Sequence, residues 1–473
     1  MPNRVRSTTP SSTEKPLTGS DSIRSVHFIS LGCPKNRVDT EVMLGVSQGA
    51  GFIHENDAKK AEVIVVNTCG FIDAAKEESI DTILEMARYK EEGKCQKLVV
   101  TGCLSQRYPE ELANQLPEVD HFLGSSDMLK LKTVLSSTPP RMLVGNPMDY
   151  VYRSDDPRAL SSKQHSVWVK IAEGCNRYCS FCAIPGIRGK QRSRPVADVV
   201  QEVSRLVASG SREINIVSQD TIAYGRDLQS KSSLEELIVA LEEVHDLAWL
   251  RLFYLYPEKM TDQLIELFRQ SKKLLPYVDM PLQHASNRML RLMSRGHGGQ
   301  RIYRVVERLK QEIPDACLRS AFIVGHPGET DADFDELKKF VSWAEFDHVG
   351  VFLFSKEDGT PSSVLKEQVP REVAKRRAAE LMALQNDISK RKLRDYIGKT
   401  LEVMVEGLSD ESDLLLEGRH RGQAPDIDGK VYLANGTAKA GDIVQAHVTD
   451  AADYDLLADI IDGGSKPRHL PIL

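Results

Sequence analysis

The sequence predicts an α/β chain in three parts: a small open α/β sheet, a central TIM-type (partial) barrel, and a small antiparallel β-barrel at the C-terminal end. Three observations predict it. Short β-rich runs alternate with helical spacing from Ser25 to about Leu135, six further βα units follow, and after Gly398 only strands and turns remain. A length of 473 residues suits about three domains of ~100–200 residues each.

Residues 1–24 are rich in Ser, Thr and Pro and lack an apolar core, so they read as a disordered tail and not as an export signal. In the N-terminal domain, 25–135, the runs VHFISLGC, EVIVVNTC and KLVVTGC have the near-continuous apolar character of buried parallel strands. Helical patterns such as DAAKEESIDTILEMARYKEEG separate them. Residues 136–164 show little periodicity and read as a linker. The barrel, 165–396, takes its strands from VWVKIAEGC, EINIVSQD, AWLRLFYLYP, YVDMPLQHAS, CLRSAFIVGHPGET and HVGVFLFSKEDGT, and its last segment, PREVAKRRAAELMALQNDISKRKLRDYIG, reads as a solvated linking helix. The small β-barrel occupies 397–465 and a tail 466–473.

Hydrophobic residues make up 41% and no stretch approaches the ~20 apolar residues of a membrane helix, so no membrane partner is expected. With no export signal the expected location is cytoplasmic. There disulfides are rare, and the eight cysteines become candidate metal ligands. The net charge of −6 is uneven: residues 396–473 carry seven Lys and Arg against fourteen Asp and Glu, a balance of −7, which leaves +1 for the rest.

Cys175, Cys179 and Cys182 form C-x3-C-x2-C in the loop after the first barrel strand. Three close thiolates can hold a 4Fe–4S cluster and leave one iron open to an exogenous ligand, whereas structural zinc wants a fourth Cys or His that the loop lacks. Cys33, Cys69 and Cys103 are far apart in sequence, but each stands just past a strand. In an open α/β sheet those ends share one edge, so the three thiols should converge. Cys95, in a polar turn, and Cys317, at a strand start, read as structural. His284 and His326 are either donors behind the site or ordinary structural histidines. The glycines of GHPGET and RGHGGQ shape turns, and neither string has the context of a phosphate loop.

EGCNRYCSFC, at 173–182, resembles the cluster motif of the radical S-adenosylmethionine superfamily. That resemblance implies S-adenosylmethionine bound at the open iron and cleaved to a deoxyadenosyl radical, with Phe181 near the adenine. By position and resemblance, Gln219 and Ile323 are expected to line the cofactor pocket. From Ser25 onward, with the second triad and a TRAM-like tail, the chain resembles the methylthiotransferases, in which the N-terminal cysteines hold a second 4Fe–4S cluster. LGCPKNRVDTE, IAEGCNRYCSFCAIPGIRG, FYLYPEKMTDQLIEL, YVDMPLQHAS and RGQAPDIDGKVYL are similar to the subfamily that modifies an aspartate of ribosomal protein S12, and His326 departs from the Phe expected there.

The resemblance implies S-adenosylmethionine as both methyl donor and radical source, and 3-methylthioaspartate as product. The implied partners are ribosomal protein S12, free or in the small ribosomal subunit, an electron donor and a sulfur donor. An acidic tail suits a basic protein better than RNA, which argues against a transfer-RNA adenosine methylthiotransferase, the nearest alternative, and suggests that the tail docks the substrate protein. A non-catalytic cluster protein is a further alternative and would need no open iron. For the transfer to work, the two triads must face one cavity.

Overall fold

The computed structural model describes residues 24–461 except 162 and 314. The tails expected at 1–24 and 466–473 fall, apart from Arg24, outside the described residues. Strands β1 (Ser25–Ser30), β2 (Ile53–His54), β3 (Val63–Thr68), β4 (Lys97–Gly102), β5 (His121–Leu123) and β6 (Met142–Leu143) form one parallel sheet in the order β2-β1-β3-β4-β5-β6. All six residues of β3 are buried, as expected of an apolar run covered on both faces. The linker expectation for 136–164 is corrected. Met142–Leu143 pair with β5, and Arg158, with its side chain 7% exposed, donates to Glu41 at 2.6 Å and Glu202 at 2.6 Å, stitching this stretch between the first helix, Pro34–Gly49, and the barrel. Polar anchoring of this kind leaves no periodic pattern to read.

The barrel's first strand is β7 (Ser166–Lys170), followed by a short antiparallel ribbon of β8 (Ala172–Glu173) and β9 (Arg192–Ser193). Then come β10 (Glu213–Val217), β11 (Trp249–Leu252), β12 (Leu274–Asp279), β13 (Cys317–Val324) and β14 (His348–Leu353). β14-β13-β12-β11-β10-β7 make an open parallel sheet, so the six expected strands build a partial barrel. Helices cover its outer face, two of them started by capping boxes at Ser233 and Thr330. The helix Arg371–Arg394, expected to be solvated, instead buries Ala374, Arg377, Leu381, Gln385 and Ile388 on one face and packs along β14. Its apolar stripe is too thin to stand out among its charges.

Strands β15 (Thr400–Ser409), β16 (Ser412–His420), β17 (Val431–Ala434), β18 (Ile443–Ala451) and β19 (Leu456–Ile460) close into a barrel in the order β15-β16-β17-β19-β18 around Val403, Val405, Val431, Leu433, Val448 and Leu456. Closure removes its edges. Four of its five pairs are antiparallel, as expected, and one, β17 with β19, is parallel. The hairpin from β18 brings β19 back beside β17 in the same direction.

This domain seals the base of the partial barrel, at the strands' N-terminal ends. Glu402 accepts from Trp249 Nε1 at 3.0 Å, Asp428 from Tyr277 Oη at 2.7 Å, and Arg421 O from Arg251 Nη1 at 3.0 Å. Arg419 reaches Glu213, itself held down at about 2 against burial by Arg419 and Arg251. Met404 and Ala424 enter the same apolar cluster as Trp168, Phe253 and Tyr277 from the barrel and Val38, Val42 and Met43 from the first helix, so that helix closes the barrel's open side. No helix among the described residues is long and apolar enough to cross a membrane.

Two buried histidines make the fold acid-sensitive. Burial, with His348 and Arg251 nearby, pushes His420 down to about 3, and burial pushes His326 to about 4. Below its ordinary pKa of ~6.5 the unfolded chain takes up protons that the folded chain refuses, so stability falls as pH drops through that window, by about 2 kcal/mol per histidine at pH 5. Urea midpoints at pH 7 and pH 5 measure this. His420→Gln is expected to show a smaller loss than the parent, and an identical loss would contradict the account.

Candidate active site

After β7 the chain makes an excursion from 173 to 192 that is pinned at its root by the β8–β9 pairing. Gly174 opens it at φ +77°, and a Cβ there would sit 2.3 Å from Lys190 O, so no other residue fits. Cys175 and Cys179 on this loop are buried and Cys182 is half-buried. The Arg177 amide donates to Cys175 Sγ at 3.3 Å, and Arg295 Nη1 to Cys179 Sγ at 3.4 Å. Burial, followed by the neighbouring thiols, pushes Cys182 up to about 12, and burial pushes Cys175 to about 11. Held as thiolates, as cluster ligands are, they would need positive charge from a bound metal centre to offset that burial.

Beside this loop, at the C-terminal ends of β10 to β12, stands a group of buried polar atoms without a partner among the described residues: Gln219 Oε1, Asp220 Oδ1, Glu258 Oε2, Arg295 Nε and both ring nitrogens of His297. Buried donors and acceptors left open are costly. Their mixture of carboxylate, guanidinium and imidazole fits a zwitterionic ligand such as S-adenosylmethionine. Gln219 also donates from Nε2 to Glu173 at 3.0 Å, which ties it to the cluster loop. Ile323 is half-buried on β13 and alternates with Phe322, which packs outward on Phe340 and Phe346, so Ile323 faces the barrel interior. Phe181 is half-buried between Ser180 and Cys182.

His326 Nε2 lies 2.8 Å from Ser362 Oγ, which lies 2.8 Å from Ser180 Oγ, so this histidine braces the cluster loop from behind. His284 pairs with Glu329 at 3.2 Å, deep in the barrel wall. Cys95 is buried in the N-terminal core, and Cys317 donates to Gly422 O at 3.0 Å, as befits structural cysteines.

The second triad gathers where three adjacent strands end. Cys33 caps the helix after β1, Cys69 follows β3, and Cys103 follows β4. Glycines permit the approach: a Cβ on Gly32 would lie 2.7 Å from Cys69 Cβ, and one on Gly70 would lie 2.7 Å from Leu104 Cα. Burial, with Cys103 and Cys33 adding to it, pushes Cys69 up to about 12. Among the described residues no three His, Cys, Asp or Glu close on a point able to hold a single metal ion. Cysteines of a cluster bind separate irons and need no such point.

The two triads share one interface. Arg188 ends the short helix Ile184–Arg188 that follows Cys182, and it donates to Cys103 Sγ from Nε at 3.3 Å and Nη2 at 3.2 Å. Around it, the buried carboxylates of Asp39 and Glu173 each pair with both Arg188 and the buried Lys170. At the rim, Glu357 after β14 accepts from Lys76 at 3.0 Å and from Arg107, both of the N-terminal domain, whose sheet edge therefore sits over the barrel mouth. Sequence reasoning missed this bridge. Asn36 and Asp39 lie in PKNRVDTE and Arg188 in GIRGK, which look like solvated segments, and only the pairing partners reveal their burial.

Comparison with known proteins places three family models on the chain in succession: the uncharacterized protein family UPF0004 over residues 25–124, the radical SAM superfamily over 169–341, and the TRAM domain over 397–461. A protein of Sorangium cellulosum, "Ribosomal protein uS12 methylthiotransferase RimO", is 58% identical over 453 residues, covering 94% of this chain and 93% of that protein. Proteins of the same name from Myxococcus xanthus (46% over 440 residues, covering 93% and 92%) and Geobacter sulfurreducens (46% over 446 residues, covering 93% and 100%) are also similar. Among solved structures, the radical S-adenosylmethionine methyltransferase TsrM from Kitasatospora setae, with cobalamin and a [4Fe-4S] cluster bound, superposes with a TM-score of 0.52 at 16% identity, covering 72% of this chain and 77% of that one, a likeness of fold.

Proposed function

Because this chain belongs to the RimO family of ribosomal protein uS12 methylthiotransferases, we propose that it adds a methylthio group to the β-carbon of an aspartate of uS12, giving 3-methylthioaspartate. The observation that carries the reading is the convergence of two thiol triads on one interface, with Arg188 reaching from the loop of one to a cysteine of the other. A β C–H bond is out of reach of acid–base catalysis, and a methylthio group has to be delivered close to where the hydrogen is removed. Bound there, two 4Fe–4S clusters and S-adenosylmethionine supply the electron, the hydrogen-abstracting radical and the methylthio group.

We assign Cys175, Cys179 and Cys182 to the cluster that meets S-adenosylmethionine, and Cys33, Cys69 and Cys103 to the second cluster. The chain's own residues hold these groups in place. Arg295 steadies Cys179, and Tyr256 Oη lies 3.8 Å from the same sulfur. The unpaired atoms of Gln219, Asp220, Glu258 and His297 orient the cofactor, and Phe181 and Ile323 supply apolar walls. The Glu357 bridges hold the N-terminal domain over the mouth and exclude water from the gap. An electron donor and a sulfur donor act with the enzyme in the cytoplasm, where uS12 is met either free or within the small ribosomal subunit.

The tail balance of −7 supports a basic protein partner over RNA. Because the tail domain stands at the barrel base, a docked uS12 has to reach around the length of the barrel to place its aspartate at the mouth. Mass spectrometry of uS12 and of bulk transfer RNA from cells lacking the enzyme tests the reading. Loss of one methylthio group from uS12 with unchanged transfer RNA is expected, and loss from transfer RNA with intact uS12 modification would overturn it.

A further inference from the structure

Arg188 is 1% exposed, and every N–H of its guanidinium is directed to a partner. Nε and Nη2 donate to Cys103 Sγ, Nη2 also to Asn36 Oδ1 at 2.5 Å, and Nη1 to Asp39 at 2.8 Å and Glu173 at 3.2 Å. Lys170 Nζ, 2% exposed, spans the same two carboxylates. The pocket thus sets two buried cations against two buried carboxylates, and beyond these Arg188 faces two further acceptors, Asn36 Oδ1 and the Cys103 sulfur, of which only the sulfur belongs to the triad. Lys35, another cation near this triad, lies 3.9 Å from the Tyr254 ring centroid, and Arg107 turns to Gly70 O at 3.0 Å; neither makes a hydrogen bond to the Cys103 sulfur among the described residues. Asn36 Oδ1 also lies 3.6 Å from that sulfur.

A simple domain bolt needs only the carboxylate contacts. The two N–H groups aimed at sulfur need another explanation. A cysteine sulfur bound to iron keeps lone pairs that accept hydrogen bonds, and N–H donors with a fixed positive charge favour the more negative, reduced state of the cluster.

We infer that Arg188 is a positioning residue that sets the reduction potential of the cluster held by Cys33, Cys69 and Cys103, through its paired hydrogen bonds to the Cys103 sulfur. Arg188 belongs to the cofactor-loop segment, so the potential of the N-terminal cluster depends on correct docking of the barrel. Drawing the loop away removes the charge and the donors together, and the cluster then becomes harder to reduce. The inference rests on the assignment of that triad to a cluster.

The test uses the full chain with Cys175, Cys179 and Cys182 replaced by Ala, reconstituted with iron and sulfide so that only the N-terminal cluster titrates. Its midpoint potential is read by visible and electron paramagnetic resonance spectroscopy. In this background Arg188→Gln is expected to lower the reduced-to-oxidised ratio at a fixed potential about tenfold, a shift of about 59 mV for one electron. Arg188→Lys keeps the charge but not the fork, and is expected to fall between the two. Should Arg188→Gln not fold, Arg188→Lys decides alone. An unchanged midpoint with a normal iron content overturns the inference. A parent background without any cluster signal overturns the cluster assignment instead.

Discussion

Replacing Cys33, Cys69 and Cys103 with Ala is expected to leave a folded enzyme that still cleaves S-adenosylmethionine to deoxyadenosine but gives no methylthiolated uS12. Replacing Cys175, Cys179 and Cys182 is expected to abolish both. The asymmetry follows from where the thiols stand. The first set caps a sheet in the N-terminal domain, while the second hangs on a loop whose root, the β8–β9 ribbon, and bracing contacts, from Ser362 and Arg295, belong wholly to the barrel. The buried polar atoms assigned to the cofactor are barrel atoms too. Loss of the N-terminal thiols therefore removes the transfer chemistry and spares the radical chemistry. Liquid chromatography for deoxyadenosine, with mass analysis of uS12 in the same reaction, separates the two. Product from the N-terminal variant would refute the assignment, and so would deoxyadenosine from the other.

Deleting residues 397–473 is expected to destroy the barrel's cooperative folding, well beyond trimming any substrate contact. The deletion bares Trp249 and Tyr277, which are 2% and 0% exposed, and leaves Glu213 and Arg251 without Arg419. Breaking a buried ion network of this kind by removing one member costs about 3–5 kcal/mol, a large share of a domain's stability of about 5–15 kcal/mol. Arg419→Met makes the same point with one side chain and is expected to lower the urea midpoint markedly. A truncated chain that unfolds with the parent's midpoint would show that the base seal contributes nothing. Because truncation unseats the barrel, reversal of exposed tail acids such as Asp410, Glu411 and Asp413 is the cleaner probe of substrate docking.

Much of this was readable in advance because it rests on period and punctuation. β7 and β10 to β14 are apolar runs ending in loops, and the cysteine spacing of the 173–182 segment has few other meanings. β2, β5 and β6 were not legible, since two or three residues carry no periodicity. The linker's order was hidden for a different reason: Arg158 is held by Glu41 and Glu202, residues distant in sequence, and charge alone does not distinguish a buried arginine from a solvated one. The cofactor candidates divide in the same way. Gln219 ties to the cluster loop through Glu173, whereas His297 and Arg295 sit in RGHGGQ, whose glycines suggested only turns. The charge count identified an acidic tail but could not say which end of the barrel it would cover.

The sealed base also bears on synthesis. The ribosome delivers the barrel's final strand, β14, more than forty residues before the first strand of the sealing domain, and that domain closes only when β19 has emerged. At about 5–20 residues per second, the aromatic lining of the uncapped barrel waits on the order of ten seconds for its cover. During that interval the first helix, which in the finished fold shares a cluster with Trp168 and Phe253 and closes the barrel's open side, has already been made. The interior is thus covered from one side by the chain's oldest helix and from the base by its youngest strands.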